Sequence, residues 1–272
     1  MTPCAPQVHA SPKRFRLIST AFLVALAMAG CQKRGTSDIT GSVPGPQQAT
    51  PEAWRKEVDL WAPKFEANPA DATAALRYAR ALRALDQKSQ TVAVLQQAAI
   101  RSPNHAELLS AYGKALADVG RYKEASEVLS RAHSPERPDW RILSAQGAVA
   151  DQMGDQAMAQ GFYESALKLA PDEPSVMSNL GLSYALNKRL PEAEALLRQA
   201  ADRPRADSRV RQNLALVLSL QGKFADAEAV LRRDLPPEEA SAVLADMRSL
   251  VSQPNSWNAI KKADAKAKPA RS

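Results

Sequence analysis

From residue 72 onward, large apolar residues recur at helical spacing, and the whole arrangement returns every 34 residues. Rows of 34 starting at Ala72 align without a gap as 72–105, 106–139, 140–173 and 174–207, followed by a shortened row at 208–236. Each row holds two apolar runs. The first contains Tyr78 with Leu82, Leu109 with Tyr112 and Leu116, Met177 with Leu180 and Tyr184, or Leu214 with Leu218. The second is marked by Leu95, Leu129, Tyr163, Leu197 or Leu231. Between these large residues stand small ones at fixed places. The eighth place reads Ala79, Gly113, Gly147, Gly181 and Ala215, the twentieth Thr91, Ala125, Ala159, Ala193 and Ala227, and the twenty-seventh Ala98, Ala132, Ala166 and Ala200 before Asp234 breaks it. Two helices approach to about 8–10 Å only where the crossing residues are small, so these places mark helix contacts within and between rows. Gly120, Gly154 and Gly222 punctuate the middle of a row, and Pro103 and Pro171, with Pro138 and Pro204 displaced by one, stop its end. The pattern predicts five helical hairpins stacked in series.

This 34-residue pattern resembles the tetratricopeptide repeat. The resemblance covers 72–236 and implies an all-α fold, a right-handed α-solenoid of about five helix pairs. Thr91 is larger than the family's usual alanine, Arg137 and Arg205 occupy its usual proline place, and Asp86 and Lys88 make the first row the least regular. Terminal units of such arrays are atypical because they present a polar outer face. Two flanking helices are expected in that role. Residues 51–71 carry Trp54, Val58, Trp61 and Phe65 on one stripe before Asn68-Pro69, and 237–257 carries Ala240, Val243, Leu244, Met247, Leu250 and Val251 between Pro237 and Pro254. The segment beyond, 258–272, reads as a basic disordered tail.

The N-terminus reads as an address. Lys13, Arg14 and Arg16, with no acid before residue 17, precede the apolar run 17–29, which suits a signal-peptide core and is short for a membrane span. The run closes on Leu26-Ala27-Met28-Ala29-Gly30-Cys31, which resembles a bacterial lipobox with Met28 where leucine is commonest. That resemblance implies cleavage of residues 1–30 and lipidation of Cys31; an ordinary cleaved signal or a retained anchor are the competing readings. Gln32 stands where an aspartate would resemble the inner-membrane retention signal, so an outer-membrane, periplasm-facing anchor is expected. Residues 31–50 are rich in Gly, Ser, Thr, Pro and Gln and predict a flexible tether spanning roughly 25 Å.

Composition narrows the chemistry. Only 5% of the 272 residues are aromatic, and alanine and leucine dominate over the β-branched residues, which disfavours an all-β or Rossmann-type domain. The formal charge of +7 suggests nucleic acid at first. It does not belong to the folded body. Of 36 bases and 29 acids, residues 1–30 hold three bases and residues 261–272 hold five bases and one acid, leaving 28 of each between them. No metalloprotease helix, phosphate loop, nucleophile elbow or Cys-x-x-Cys pair occurs. The expectation is a protein with no enzymatic activity, no cofactor, no metal and no nucleic-acid partner.

In tetratricopeptide arrays the first helices line a concave face that holds partner segments, through the second, fifth, sixth, ninth, twelfth and thirteenth places. Rows one to three put charge there, including Arg80, Arg83, Lys114, Asp118, Arg141 and Asp151. Rows four and five put Leu182, Leu186, Leu216 and Leu220 there beside Asn179, Gln212 and Asn213, an expected apolar floor flanked by amides. The competing reading has the C-terminal helix folding back over Leu216 and Leu220. Leu76 and Ala111 break the set that clamps acidic chaperone tails, so those tails are poor candidates. A lipid-anchored array ending in a cap helix and Asn255-Ser256-Trp257 resembles the TadD group of tight-adherence (Flp) pilus assembly lipoproteins. The resemblance implies a pilotin-like role, with an outer-membrane secretin or another pilus component as protein client. The alternative is an adaptor for another envelope process, recruiting a protease, a cell-wall hydrolase or the outer-membrane assembly machinery.

Overall fold

The computed structural model describes residues 50–134 and 136–252; the expected signal, Cys31 and most of the expected tether lie outside them, as do Trp257 and the basic C-terminal segment. The described residues form twelve α-helices and no named strand. A lone helix α1 (Pro51–Ala67) precedes five hairpins: α2 (Ala72–Ala84) with α3 (Lys88–Arg101), α4 (Ala106–Asp118) with α5 (Tyr122–Ser130), and α6 (Trp140–Met153) with α7 (Gln156–Leu169). The last two are α8 (Pro174–Leu186) with α9 (Leu190–Ala201) and α10 (Ser208–Leu220) with α11 (Phe224–Leu231). A final helix, α12 (Pro237–Ser252), packs on α10 and α11. The architecture is an all-α solenoid.

Local chemistry repeats with the period. The residue before every first helix, in turn Asp71, His105, Asp139, Glu173 and Asp207, accepts a backbone N–H of the first turn through its side chain. Every first helix ends on a left-handed residue at the fifteenth place, which is glycine in three rows but Asp86 at φ 57° and Lys188 at φ 60° in the others. The next N–H then returns to the eleventh-place carbonyl, at 2.9 Å from Gln87 to Leu82 and 3.0 Å from Asp155 to Ala150, which closes a Schellman-type end.

The small places are where helices touch. A Cβ added at Gly113 would stand 2.6 Å from Leu129, at Gly147 2.6 Å from the Tyr163 ring, and at Gly181 2.7 Å from Leu197. The eighth place therefore receives the large residue of the twenty-fourth, and Leu95, Leu129, Tyr163, Leu197 and Leu231 are all buried there. Thr91 fits an alanine place because its hydroxyl donates to the Gln87 carbonyl at 3.0 Å, which leaves no buried polar atom unpaired.

The ends close differently. Helix α1 occupies the register of a second helix: Asn68-Pro69 precedes Ser102-Pro103 by one period, and Trp61 stands at the twenty-fourth place. Glu57 and Lys64 occupy the places kept small elsewhere, and they flank the indole. Trp61 Nε1 donates to Glu57 at 2.9 Å and Lys64 Nζ lies 4.2 Å from the ring centre. On its inner side Phe65 is buried with its ring 6.0 Å from Tyr78. Helix α12 buries Ala240 and Leu244 and leaves Glu238, Glu239, Ala245 and Asp246 exposed.

Candidate protein-binding groove

Successive first helices touch one another, so α2, α4, α6, α8 and α10 form one continuous face. Side-chain bonds cross three of the steps between them. Arg83 pairs with Asp118 at 2.6 Å between α2 and α4. Asn179 Nδ2 donates to Ser144 at 3.1 Å between α6 and α8, and Asn213 Nδ2 to Ser178 at 3.0 Å between α8 and α10. Beyond α10 the Ser219 hydroxyl meets the Met247 sulfur at 3.9 Å.

The amide ladder sets the polar edge of the groove. Each asparagine spends one N–H on the serine 35 residues earlier, which fixes the plane of the amide and leaves its carbonyl oxygen and second N–H to face outward chemistry. An amide held in this way is pre-organised for an extended backbone, which presents the same donors and acceptors. Gln212 beside them is exposed. The serines at the fifth place went unread in the sequence, although Ser144 and Ser178 stand at constant spacing from the amides and that spacing was a usable signal.

The leucines divide. Leu186, Leu216 and Leu220 are half-buried and stand apart from the packed core, whereas Leu182 is 7% exposed and belongs to it. Leu182 is therefore corrected from groove floor to core residue, since the ninth place of α8 turns into the packing against its neighbours. Helix α12 lies against α10 and α11 with Met247 at Ser219, and Leu216 and Leu220 retain partial exposure beside it.

Asp151 also departs from its expected place on the groove. It is 4% exposed, with the Ser183 hydroxyl donating to one carboxylate oxygen at 2.8 Å and the Tyr163 hydroxyl to the other at 3.1 Å. Tyrosine replaces the leucine of other rows at the twenty-fourth place, and its hydroxyl is what makes a buried acid tolerable there. Gln146 is buried in the same repeat and meets His133 Nε2 at 3.0 Å. The third repeat thus inserts polar bonds where its neighbours are apolar.

Charge is distributed unevenly along the face. Arg77 and Arg80 are exposed and line a cleft of about 220 Å³ with Ala53, Trp54 and Glu57, with Arg80 stacked 5.5 Å from the Trp54 ring. Lys114 is half-buried on the next first helix. Burial, and after it the Arg83 guanidinium, lowers its ammonium below the ordinary lysine range against the pull of Asp139. Among the described residues no cluster of His, Cys, Asp and Glu is suited to hold a metal, and no helix is long and apolar enough to cross a membrane.

A stack of helix pairs with a polar-edged, partly apolar inner face defines a repeat scaffold for protein binding. Tetratricopeptide-repeat family models match residues 175–203 and 208–233. These residues form the fourth and fifth hairpins, so the family matches fall on the tetratricopeptide-type helix pairs of the solenoid. No curated protein matches the chain. Among solved structures, PilW, described as a widely conserved type IV pilus biogenesis factor, aligns at 16% identity and a TM-score of 0.58, covering 77% of this chain and 91% of PilW. A chain of the APC/C hetero-tetramer Cut9-Hcn1 aligns at 17% and 0.58, covering 76% of this chain and 44% of its own. PilF of Pseudomonas aeruginosa aligns at 18% and 0.49, covering 78% and 98%. These likenesses are likenesses of fold.

Proposed function

We propose that this protein is a lipid-anchored scaffold facing the periplasm from the outer membrane, which holds a client segment of the tight-adherence pilus apparatus and assists assembly of its secretin. The observation that carries the binding reading is the partial exposure of Leu186, Leu216 and Leu220 on helices whose Asn179 and Asn213 amides are held by Ser144 and Ser178. An extended segment laid there satisfies its backbone on Asn179 and Asn213 and buries alternate apolar side chains on the leucines. The lipobox-like run ending in Cys31 supports the anchor, and the TadD-like build supports the pilus client. A fold shared with a pilus biogenesis factor is compatible with that assignment.

Deletion of the gene tests the client class. Loss of secretin multimers from the outer membrane is the expected outcome; normal multimers with altered protease or cell-wall phenotypes point to the adaptor reading instead. A Cys31→Ala chain is expected in the soluble periplasmic fraction, and its persistence in membranes would refute the lipid anchor.

A further inference from the structure

The groove is divided by charge, and the division identifies the client's chemistry further; this step rests on the proposed reading of the groove. In repeats four and five every arginine sits against a carboxylate: Arg189, Arg198, Arg203, Arg205, Arg209, Arg211, Arg232 and Arg233 all form ion pairs. The inner face of the first repeats is different. Arg83 is paired with Asp118, but Arg77 and Arg80, which line the cleft beside Trp54, and half-buried Lys114, at the ninth place of the adjoining helix α4, form no ion pair among the described residues.

We propose that the cleft of Trp54, Arg77 and Arg80, together with Lys114 on the adjoining helix α4, is a second subsite that takes an acidic segment of the same client polypeptide. Its apolar segment then lies on the leucines of repeats four and five. Three observations favour side-chain carboxylates on a peptide. The cations are spread over two helices, α2 and α4, which suits charges strung along a chain. Glu57 lines the cleft and Asp118 and Asp139 stand near Lys114, so a concentrated dianion meets repulsion that separate single carboxylates avoid. The Trp54 ring beside Arg80 offers apolar surface for the methylenes of a glutamate or a neighbouring residue. Lys114 has already lost hydration to burial without gaining a partner, and an incoming carboxylate supplies that partner at little further desolvation cost. The client is thereby given a direction, its acidic part toward α1 and its apolar part toward α12.

The test uses the full chain carrying Cys31→Ala and two fluorescein-labelled peptides, one with a glutamate block followed by a leucine-serine block, the other with glutamine in place of glutamate. Fluorescence anisotropy is expected to show the glutamate peptide binding more tightly, with an advantage that fades as salt rises. Lys114→Gln, and separately Arg77→Gln with Arg80→Gln, should weaken the glutamate peptide about tenfold and leave the glutamine peptide unchanged. Leu216→Ser should weaken both peptides alike. Equal affinity for the two peptides, or indifference of the glutamate peptide to the cation variants, overturns the acidic subsite. Cation effects that persist while Leu216→Ser changes nothing leave the subsite standing and refute the apolar floor. Vesicles containing phosphatidylglycerol serve as the competing ligand. Tighter binding to them than to the glutamate peptide through the same three cations would assign the cleft to a membrane surface and overturn the proposal.

Discussion

Repeats one and two and repeats four and five share one skeleton and differ in what they leave unpaired. In both halves a leucine at the twenty-fourth place fills the space over a small eighth residue, as Leu129 does over Gly113 and Leu197 over Gly181. In both halves a side chain caps the first helix and a left-handed residue ends it. The solvent-facing chemistry diverges. The C-terminal half ties neighbouring repeats together by surface ion pairs such as Arg203 with Asp172, Arg233 with Asp202 and Lys223 with Glu194, and its groove is left apolar and amidic. The N-terminal half pairs Arg83 with Asp118 but leaves Arg77, Arg80 and Lys114 without an ion pair among the described residues. A repeat fold allows this because each unit contacts only its neighbours, so places outside the packing set vary without cost to the stack.

The largest effect should come from making the same cut in both halves. Leu129→Ala and Leu197→Ala each remove a fully buried side chain and should each cost about 2–5 kcal/mol in denaturant unfolding. A value under about 1 kcal/mol for either would break the claim of a common skeleton. Between the halves, Tyr163→Phe should cost about 1–3 kcal/mol by withdrawing a hydroxyl from the buried Asp151, although the ring itself still fills the eighth-place space of Gly147. A neutral result would show that Asp151 does not depend on this bond.

The skeleton was legible in the sequence because steric needs recur at every period, and a small residue facing a large one leaves the same trace in each row. Position in a row was a poorer guide to burial. Leu182 and Asp151 both stand at groove places, yet one packs into the core and the other is enclosed by hydroxyls from Tyr163 and Ser183. Whether a groove-place side chain turns inward depends on partners in the adjacent row, which a single row does not reveal. The end caps show the same dependence. Glu57 and Lys64 stand at places that are small in the other rows, and their role is visible only once they are seen flanking Trp61.

Smaller effects sharpen the comparison at the turns. Lys188→Gly and Asp86→Gly relieve a left-handed conformation in a late and an early repeat, and each should stabilise by about 0.5–1 kcal/mol in thermal unfolding. Destabilisation by either would mean that the side chain does more than occupy the turn.

The ion pairs of the C-terminal half should register mainly as a pH dependence. For Glu194, burial raises the carboxyl pKa, but hydrogen bonds from Lys223, Arg198 and Gln221 outweigh it and hold it below its ordinary value of 4.5. A carboxylate depressed on folding adds stability above its unfolded pKa and loses it as pH falls through the folded one. Glu194→Gln should therefore flatten the loss of stability below about pH 4.5, by under about 1 kcal/mol as expected for pairs near the surface. An unchanged acid slope would remove these pairs from the account.

The central claim is that one client lies along the whole inner face, acidic part on the early repeats and apolar part on the late ones. Site-specific photo-crosslinking in living cells from Arg80 and, separately, from Leu216 tests it most directly. The account predicts that both positions trap the same protein, the secretin of the pilus apparatus or a component bound to it, through different segments of its chain. Different proteins trapped from the two positions, or no adduct from Leu216, would contradict it.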